Sequence, residues 1–301
     1  MKELVDEVDE RKVSINAVCD ILGTNRKTYY NHLNQEENIY KVRRRELAIK
    51  IKKIHDDSKQ IYGAPKITRK LRQQGCVVSE RHVGKIMQEM GLKPHYIKPW
   101  TRTTKNSDFS KELKNVIKRD FNPEKLNSVW CTDITYIWTK EGEFVYLTSV
   151  MDLYSRKIIA WTLSKTMEAD EVLRCLKIAQ ERRYMDVAIV IHSDRGSQYV
   201  SKLYKKLTKA MTTSYSRKGN PWDNAPIESF HALIKREWLS RYKPENYHHA
   251  YSLVFEYIEG FYNTGRSHSF CGYLSPNEYE QQFMKTLSAR FSQFRLCKYL
   301  T

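Results

Sequence analysis

The segment VWCTDITYIWT, residues Val129–Thr139, decides the fold of this chain because it combines the composition of a buried strand with an acid at its centre. Its β-branched and aromatic residues predict a β-strand. Asp133 interrupts this pattern with a carboxylate, whose charge is costly to place in a protein core without a partner. The segment therefore predicts both a strand and a functional site built on it.

The segments that follow alternate between strand and helix patterns. Further strands at Phe144–Met151 and Lys157–Leu163, separated by the short breaks KEGE and DLYSR, predict an antiparallel meander. The remaining predicted elements are helices near residues 168–183 and 201–211, a strand at Val187–His192, and long helices at residues 224–241 and 246–262. This order predicts an α/β fold in which helices flank a mixed sheet.

The residues before this core are rich in helical patterns and in positive charge. Of the net charge of +17, residues 41–105 carry +13, with 18 lysines and arginines against five acids. Residues 14–34 and 62–94 each show a helix, a glycine-containing turn and a second helix, which is typical of a helix-turn-helix. The second helix of such a unit lies in the DNA major groove, so Arg81, His82 and Lys85 are predicted to face DNA. Ordinary helical hairpins with a solvated basic face are the alternative.

The composition argues against several other classes of protein. The six cysteines are scattered without a C-x-x-C pair, which indicates neither a zinc knuckle nor a disulfide framework and favours a reducing compartment. No apolar run approaches the roughly 18 residues that span a bilayer, and the polar, acidic start is unlike a signal peptide. The positive charge favours an anionic polymer or a membrane surface as partner. We expect a cytoplasmic protein.

Three acids lie on elements that are predicted to be rigid. Asp133 lies within a strand, Asp194 directly follows the strand VAIVIH, and Glu228 lies in the first turns of a helix. Three converging carboxylates can hold two Mg²⁺ ions about 4 Å apart, an arrangement suited to phosphoryl displacement. Taken singly, each acid also has a structural explanation, as a hydrogen-bond acceptor, a turn cap or a helix N-terminal charge. The hypothesis of a metal site depends on their combination.

Four ordered segments carry a family resemblance: WCTDITYI, HSDRGSQYVS, SRKGNPWDNAPIESFHALIKRE and FYNTGRSHSFCGYLSPNEY. They resemble the transposases encoded by the second reading frame of a widespread group of bacterial insertion sequences. That group belongs to the retroviral-integrase superfamily, which has an RNase H-like fold and a DDE site. The resemblance runs from about Arg44 to Phe283. It implies an RNase H-like five-stranded mixed sheet flanked by helices, preceded by an all-α helix-turn-helix DNA-binding region.

The resemblance also implies roles for individual residues. Asp133, Asp194 and Glu228 would be the catalytic triad and would bind two Mg²⁺ or Mn²⁺ ions. Lys235, seven residues after the glutamate, would meet a DNA phosphate. Helix geometry agrees, because seven residues are close to two turns, although a solvated lysine is the alternative. The other predicted DNA contacts, for which solvated loop residues are the rival interpretation, are Arg217, Lys218 and Asn224.

Three positions have predicted structural roles. Gly196 is expected to permit the turn that follows the strand before it, and Asn224 is expected to cap the Glu228 helix. Asp152 is expected to end its strand and shape the next turn. The family's usual Gly-Ile-Ile-like strand is replaced here by AMTTSYS at residues 210–216.

The predicted function is that of a DNA transposase, a DDE polynucleotidyl transferase that cleaves and joins insertion-sequence ends in DNA recombination. The alternatives are a non-catalytic helix-turn-helix regulator, a decayed transposase copy, and an RNase H-type nuclease without transfer activity. The expected partners are double-stranded DNA, further copies of this chain on DNA, and an upstream-frame (OrfA-type) protein or fusion. The predicted domains are a helix-turn-helix-like segment at residues 1–40, a basic helix-turn-helix domain at 41–93, a linker at 94–122, a catalytic core at 123–285 and a tail at 286–301.

Overall fold

The structure is a computed structural model that describes residues 14–33, 39–95, 113–183 and 189–298. It begins with helices α1 (Ile15–Ile21) and α2 (Arg26–Leu33). The Ser14 side chain caps α1 by accepting a hydrogen bond from the Asn16 amide, and the Asn25 side chain accepts one from the Thr28 amide in α2. The predicted first helical pair is therefore confirmed.

The basic region forms three helices, α3 (Ile39–Asp57), α4 (Ala64–Gln73) and α5 (Glu80–Glu89). Ser79 caps α5 by accepting a hydrogen bond from the His82 amide. One face of each helix is buried in a common apolar cluster made by Ile51, Ile54, Ile67, Leu71, Val83, Ile86 and Met87. The spacing of these residues is that of amphipathic helices, so the second predicted helical pair is also confirmed.

Five strands form one mixed sheet in the order β3-β2-β1-β4-β5. They are β1 (Val129–Trp138), β2 (Phe144–Asp152), β3 (Ile158–Ser164), β4 (Val190–Ser193) and β5 (Thr212–Tyr215). The first three pair antiparallel, which confirms the meander, while β1, β4 and β5 pair parallel. The fourth strand begins later than predicted, and residues 187 and 188 lie outside the described residues. The replacement sequence at 210–216 still forms a strand.

Helices cover both faces of this sheet. They are α6 (Ala169–Arg182), α7 (Lys202–Leu207), α8 (Ala225–Ile234), α9 (Ser240–Tyr242), α10 (Tyr247–Tyr257) and α11 (Pro276–Lys298). A π-helical turn at Lys235–Leu239 joins α8 to α9, and another at Ile258–Tyr262 extends α10. None of the helices in the described ranges is long and apolar enough to cross a membrane. Residues 225–242, here called the site helix, form one helical stretch in which the π-helical turn Lys235–Leu239 lies between α8 and α9.

Alternation along β1 places the acid on one face of the sheet. Cys131 packs in the same buried cluster as Ile227 of α8, whereas Trp130 packs with Val172 of α6. Because successive side chains of a strand point to opposite faces, Asp133 shares the face of Cys131 and lies toward the site helix. β1 therefore places Asp133 on the face of the sheet against which the helix carrying Glu228 packs.

The basic helices pack directly against the sheet and its helices. The Tyr62 hydroxyl accepts a hydrogen bond from the Ser267 amide at 2.6 Å. Arg241, at the end of the site helix, donates to the Lys59 carbonyl at 2.6 Å and to the Gln60 side chain at 3.0 Å. The apolar cluster of the basic helices is also continuous with that of the core. The basic helices and the site helix are therefore in contact.

Part of the predicted linker packs along the sheet. Residues 96–112 lie outside the described residues, but the Lys114 carbonyl accepts a hydrogen bond from the Tyr215 amide at 3.0 Å. The Ser214 hydroxyl accepts one from the Val116 amide at 2.9 Å. At the other end of the chain, α11 begins inside the predicted core and continues through residues predicted as a tail. The division into five domains stays a prediction.

Candidate active site

Asp133 lies near the middle of β1, opposite Ser149 of β2, and is half-buried. The nearest charged or titratable group is His231, whose Nδ1 lies 3.4 Å from Asp133 Oδ2. The other ring nitrogen of His231 lies 3.3 Å from the Ser149 hydroxyl. Sequence reasoning missed His231, although it follows Glu228 by three residues and so shares a helix face with it.

Asp194 directly follows β4, at the carboxyl end of a parallel strand. Its Oδ1 accepts a hydrogen bond from the Gly196 amide at 2.9 Å. Gly196 has a φ of −57°, a value open to any residue, so the expected backbone freedom is not what the turn requires. A Cβ at this position would lie 3.0 Å from Asp194 Oδ1 and 2.9 Å from the Gln198 side-chain oxygen. A side chain here would therefore displace the Gln198 side chain or the Asp194 carboxylate.

The two aspartates form a centre of negative charge. Desolvation first, and the charge of Asp133 second, raise the pKa of Asp194 to about 6. His231 lies 3.4 Å from Asp133, and the charge of Asp133 also acts on Lys235. The carboxylate oxygen atoms of the two aspartates are suited to a hard divalent cation.

Glu228 lies in the first turn of α8 and is half-buried. In the described part of the chain, no three His, Cys, Asp or Glu side chains are grouped closely enough to hold one metal ion. The structure places His231 beside Asp133 and brings Asp194 close enough to feel the charge of Asp133. The triad of Asp133, Asp194 and Glu228 stays a prediction. Asp133 and Asp194 carry the carboxylate oxygen atoms that fit a hard divalent cation.

Asp223 anchors the loop that leads into the site helix. Its buried carboxylate accepts hydrogen bonds from the Arg217 amide and guanidinium at 2.9 Å, from Arg119 at 2.7 Å and from Asn115 at 2.9 Å. The hydrogen bonds from Arg217 are the main reason that the pKa of Asp223 lies well below its usual range. Arg217, predicted to contact DNA, is therefore engaged by this acid in the structure.

Asn224 does not cap the site helix as expected. Its side chain makes no hydrogen bond to the first turn, and it is buried. Neither its amide nitrogen nor its amide oxygen has a hydrogen-bond partner among the described residues. Since the adjoining 3₁₀ turn Pro221–Asn224 already leads into α8, the helix begins without this cap. The unsatisfied amide is costly to the fold.

Lys235 begins the π-helical turn of the site helix. Its ammonium group lies 4.3 Å from the centre of the Tyr136 ring, a cation–π contact. Burial lowers the pKa of Lys235, and the charge of Asp133 opposes this shift. The lysine is therefore close enough to the candidate site to interact with its charge. Tyr136 was missed by sequence reasoning, because nothing in a strand pattern shows which side chains a distant helix will meet.

The remaining predicted DNA contacts lie at the surface. Arg81, His82 and Lys85 are exposed on the outer face of α5, opposite its buried residues. Lys218 is exposed in the loop before the site helix. These positions are compatible with DNA contacts, which stay predictions. Asp152 is confirmed as structural, because it is buried and accepts hydrogen bonds from the Asn127 and Tyr154 amides at 2.9 Å.

Comparison with known proteins finds matches along most of the chain. Residues 123–221 and 209–276 match models of an integrase core domain, and residues 41–99 match a model of an HTH-like domain. The transposase for insertion sequence element IS904 of Lactococcus lactis subsp. lactis is 37% identical over 242 residues, covering 80% of this chain and 95% of that protein. The transposase InsF for insertion sequence IS3A of Escherichia coli K12 is 32% identical over 286 residues, covering 94% and 99%. Among solved structures, the HTLV-2 integrase catalytic core domain in complex with magnesium shares 17% identity and covers 40% of this chain and 74% of that chain, with a TM-score of 0.33.

Proposed function

This chain belongs to the transposases of IS3-type insertion sequences, with an integrase core and an HTH-like domain, and we propose from that premise that Asp133, Asp194 and Glu228 are its catalytic acids. The proposed reaction is metal-dependent cleavage of the element's ends followed by strand transfer. Water and then a DNA 3′-hydroxyl attack a phosphodiester, and no covalent protein–DNA intermediate is required.

One observation carries this assignment. Asp133 and Asp194 come from two parallel strands of the sheet and lie close enough for the charge of one to raise the pKa of the other. Two carboxylates this close repel each other, and a bound divalent cation offsets that repulsion. The pair is therefore better explained by a bound metal than by a structural role.

Two neighbouring groups orient the carboxylates of Asp133 and Asp194, which would bind the metal. The Gly196 amide orients Asp194 Oδ1, and His231 orients the Asp133 carboxylate from the opposite side. The ions, two Mg²⁺ or Mn²⁺ in our proposal, would activate the attacking oxygen and stabilise the leaving oxygen. Glu228 would complete the set of ligands from the site helix.

DNA contacts are proposed in two places, on helix α5 and around the proposed catalytic acids. Arg81, His82 and Lys85 would enter the major groove, since they share the exposed face of a helix whose other face is buried. Lys235 would contact a phosphate near the acids. The loop residues Arg217, Lys218 and Asn224 would contact the strand as it approaches the site.

The proposed partners follow from the reaction. Joining two ends to a target requires double-stranded DNA and at least two active sites, which suggests several copies of this chain on DNA. An upstream-frame (OrfA-type) protein, separate or fused, would add further DNA-binding capacity. We also propose the five-domain division given by the sequence.

The experiment compares Asp194→Asn with Asp170→Asn, an exposed acid in the first turn of α6. Duplexes carrying the element's own ends are incubated with Mg²⁺, with and without the upstream-frame protein. We expect Asp194→Asn to lose cleavage by about 10⁴-fold, since metal ligation supplies several kcal/mol of transition-state stabilisation. Duplex binding should persist in both variants. Retained Mg²⁺-dependent cleavage by Asp194→Asn would refute the assignment, and cut products without joined ones would indicate a nuclease.

A further inference from the structure

A cluster of exposed aromatic side chains projects from the β1-β2 hairpin. Tyr136 and Trp138 of β1 and Phe144 of β2 are 53%, 55% and 45% exposed, and we call these three residues the aromatic patch. Phe144 contacts both partners edge to face, with ring centres 5.4 Å from Tyr136 and 4.5 Å from Trp138. Trp138 and Phe144 are direct cross-strand neighbours, so the rings share one face of the sheet.

The aromatic patch is exposed because it lies on the part of the hairpin that extends beyond β4 and α6. β4 pairs with β1 only as far as Cys131, and the hairpin continues beyond that point. Trp130 on the same face of β1 is fully buried against α6, whereas Tyr136 and Trp138 lie further along the strand and are exposed. Cross-strand aromatic pairs stabilise a hairpin by about 0.2–1 kcal/mol each. That gain explains a pair of rings, but not why three large rings stay half in water beside the candidate site.

A lysine connects the patch to the acids. The ammonium group of Lys235 lies over the Tyr136 ring, and the charge of Asp133 acts on the same group. Tyr136 follows Asp133 by three residues, which at about 3.3 Å per residue is about 10 Å along the strand and places its ring on the opposite face of β1. Lys235 nevertheless contacts this ring, beyond Cys131, where β1 no longer pairs with β4. A DNA strand bound with one phosphate at Lys235 would therefore lie beside the Tyr136 ring of the patch.

We infer that the aromatic patch is a stacking platform for an unpaired nucleobase of the DNA strand held at the acids. The inference rests on the proposed function, because it takes the strand to be DNA. Aromatic rings bind bases through their π-faces without selecting a sequence, and each stacked base contributes substantially to single-strand affinity. Unstacking a terminal base from a duplex costs a few kcal/mol, which such a platform offsets.

The size of the patch favours a base over a second copy of the chain. An aromatic side chain offers roughly 150–250 Å², so three half-exposed ones offer about 300 Å². Even a symmetric pairing of two patches would bury only about 600 Å², below the roughly 1,000 Å² expected of a stable interface. Glu143 and Lys140 at the hairpin tip form ion pairs with Lys165 and Glu245 of the same chain. These charges are therefore already engaged and would add little to an interface with a second copy.

The chain contains a matched control cluster. Tyr251 and Phe255 of α10 are 44% and 53% exposed and contact Trp161, with ring centres 5.1 and 6.5 Å apart. The indole of Trp161 donates a hydrogen bond to Glu259, so an acid adjoins this cluster where a lysine adjoins the patch. Its exposed aromatic residues match those of the patch in kind, but the charge beside it is an acid that is paired with Arg182 at 3.6 Å.

The experiment uses the full chain and fluorescein-labelled oligo(dT), with affinity measured by anisotropy over a range of salt concentrations. We expect Trp138→Ala to weaken binding about tenfold without changing the salt slope, since stacking releases no counterions. Trp138→Phe should retain most of the affinity. Lys235→Ala should lower the slope by about 0.7, the value for one phosphate contact on a single strand. The control variant Tyr251→Ala with Phe255→Ala should bind like the wild type.

A second measurement locates the contact. Oligo(dT) carrying 5-iodouracil should photocrosslink to a peptide containing Tyr136 or Trp138, and the crosslink should disappear in Trp138→Ala with Tyr136→Ala. Wild-type affinity in Trp138→Ala, or equal losses in the control variant, would overturn the inference. So would a change in oligomeric mass caused by Trp138→Ala, which would make the patch an interface between copies. The proposed catalytic role is judged separately, by cleavage in Asp194→Asn.

Discussion

Two acidic centres of the core differ in how the chain treats their charge, and the site helix contributes a residue to each. Glu237, in the π-helical turn, is buried and accepts hydrogen bonds from Arg266 at 2.6 and 2.8 Å and from the Tyr257 hydroxyl at 2.7 Å. Burial alone would raise the pKa of Glu237, but the contacts with Arg266 outweigh it and the pKa is lowered. At the other centre, desolvation and the charge of Asp133 raise the pKa of Asp194.

The first centre is neutralised within the fold, whereas the second holds two like charges near each other. Lys66, from the basic helices, also lies near Glu237 and Arg266, so the neutralised centre joins the basic helices to the core. We expect the centre at Asp133 and Asp194 to cost stability, because like charges repel. Replacing each acid by its amide and measuring the free energy of unfolding therefore tests whether that charge stabilises the fold.

The largest effect on folding is expected for Glu237→Gln. This change leaves the Arg266 guanidinium buried beside a neutral group, and breaking a buried ion pair from one side costs about 3–5 kcal/mol. Chemical denaturation should show this loss in the free energy of unfolding. The double variant Glu237→Leu with Arg266→Met should recover much of it, because it removes both charges together. A single variant as stable as the wild type would show that the ion pair does not hold this end of the helix.

An intermediate effect is expected for Asp223→Asn. The amide cannot accept all of the charge-assisted hydrogen bonds from Arg217 and Arg119, and we expect a loss of about 1–3 kcal/mol. The pKa of Asp223 is lower in the folded chain than in the unfolded chain, where an aspartate titrates near about 3.9. Its contribution is therefore complete above pH of about 4 and is lost as the pH falls further. Unfolding curves from neutral to acidic pH should be less steep in pH for the variant, and an unchanged slope would contradict the assignment.

The smallest effect on folding, with the opposite sign, is expected for Asp194→Asn in metal-free buffer. The variant removes one of two like charges, so it should be as stable as the wild type or more stable by less than about 1 kcal/mol. Because the pKa of Asp194 is raised to about 6, wild-type stability should decline as the pH rises from about 4 through 6. This part of the decline should be absent in the variant. Strong destabilisation by Asp194→Asn would place this acid with Glu237 as a structural charge.

Local sequence patterns predicted the main elements because those patterns have local causes. The strand at Val129–Trp138 and its meander follow from alternation and short breaks, and α5 begins at the Ser79 cap as expected. The failures have non-local causes. Asn224 resembles a cap in sequence but is buried without capping the helix. At Gly196 a side chain would press on the Asp194 carboxylate, whereas the backbone angle is open to any residue.

By itself, the sequence determined the strand and helix order, the surplus of positive charge in the N-terminal helices, and three acids on rigid elements. These depend on residue type and short-range spacing, which local steric and hydrophobic preferences translate directly into structure. Only the tertiary structure decided that His231 meets Asp133, that Arg217 is engaged by Asp223, and that Lys235 lies over Tyr136. The first and third pairs depend on the packing of separate elements, and the second depends on how one loop folds back on itself. The energy of a charge depends on the partners that this folding brings to it.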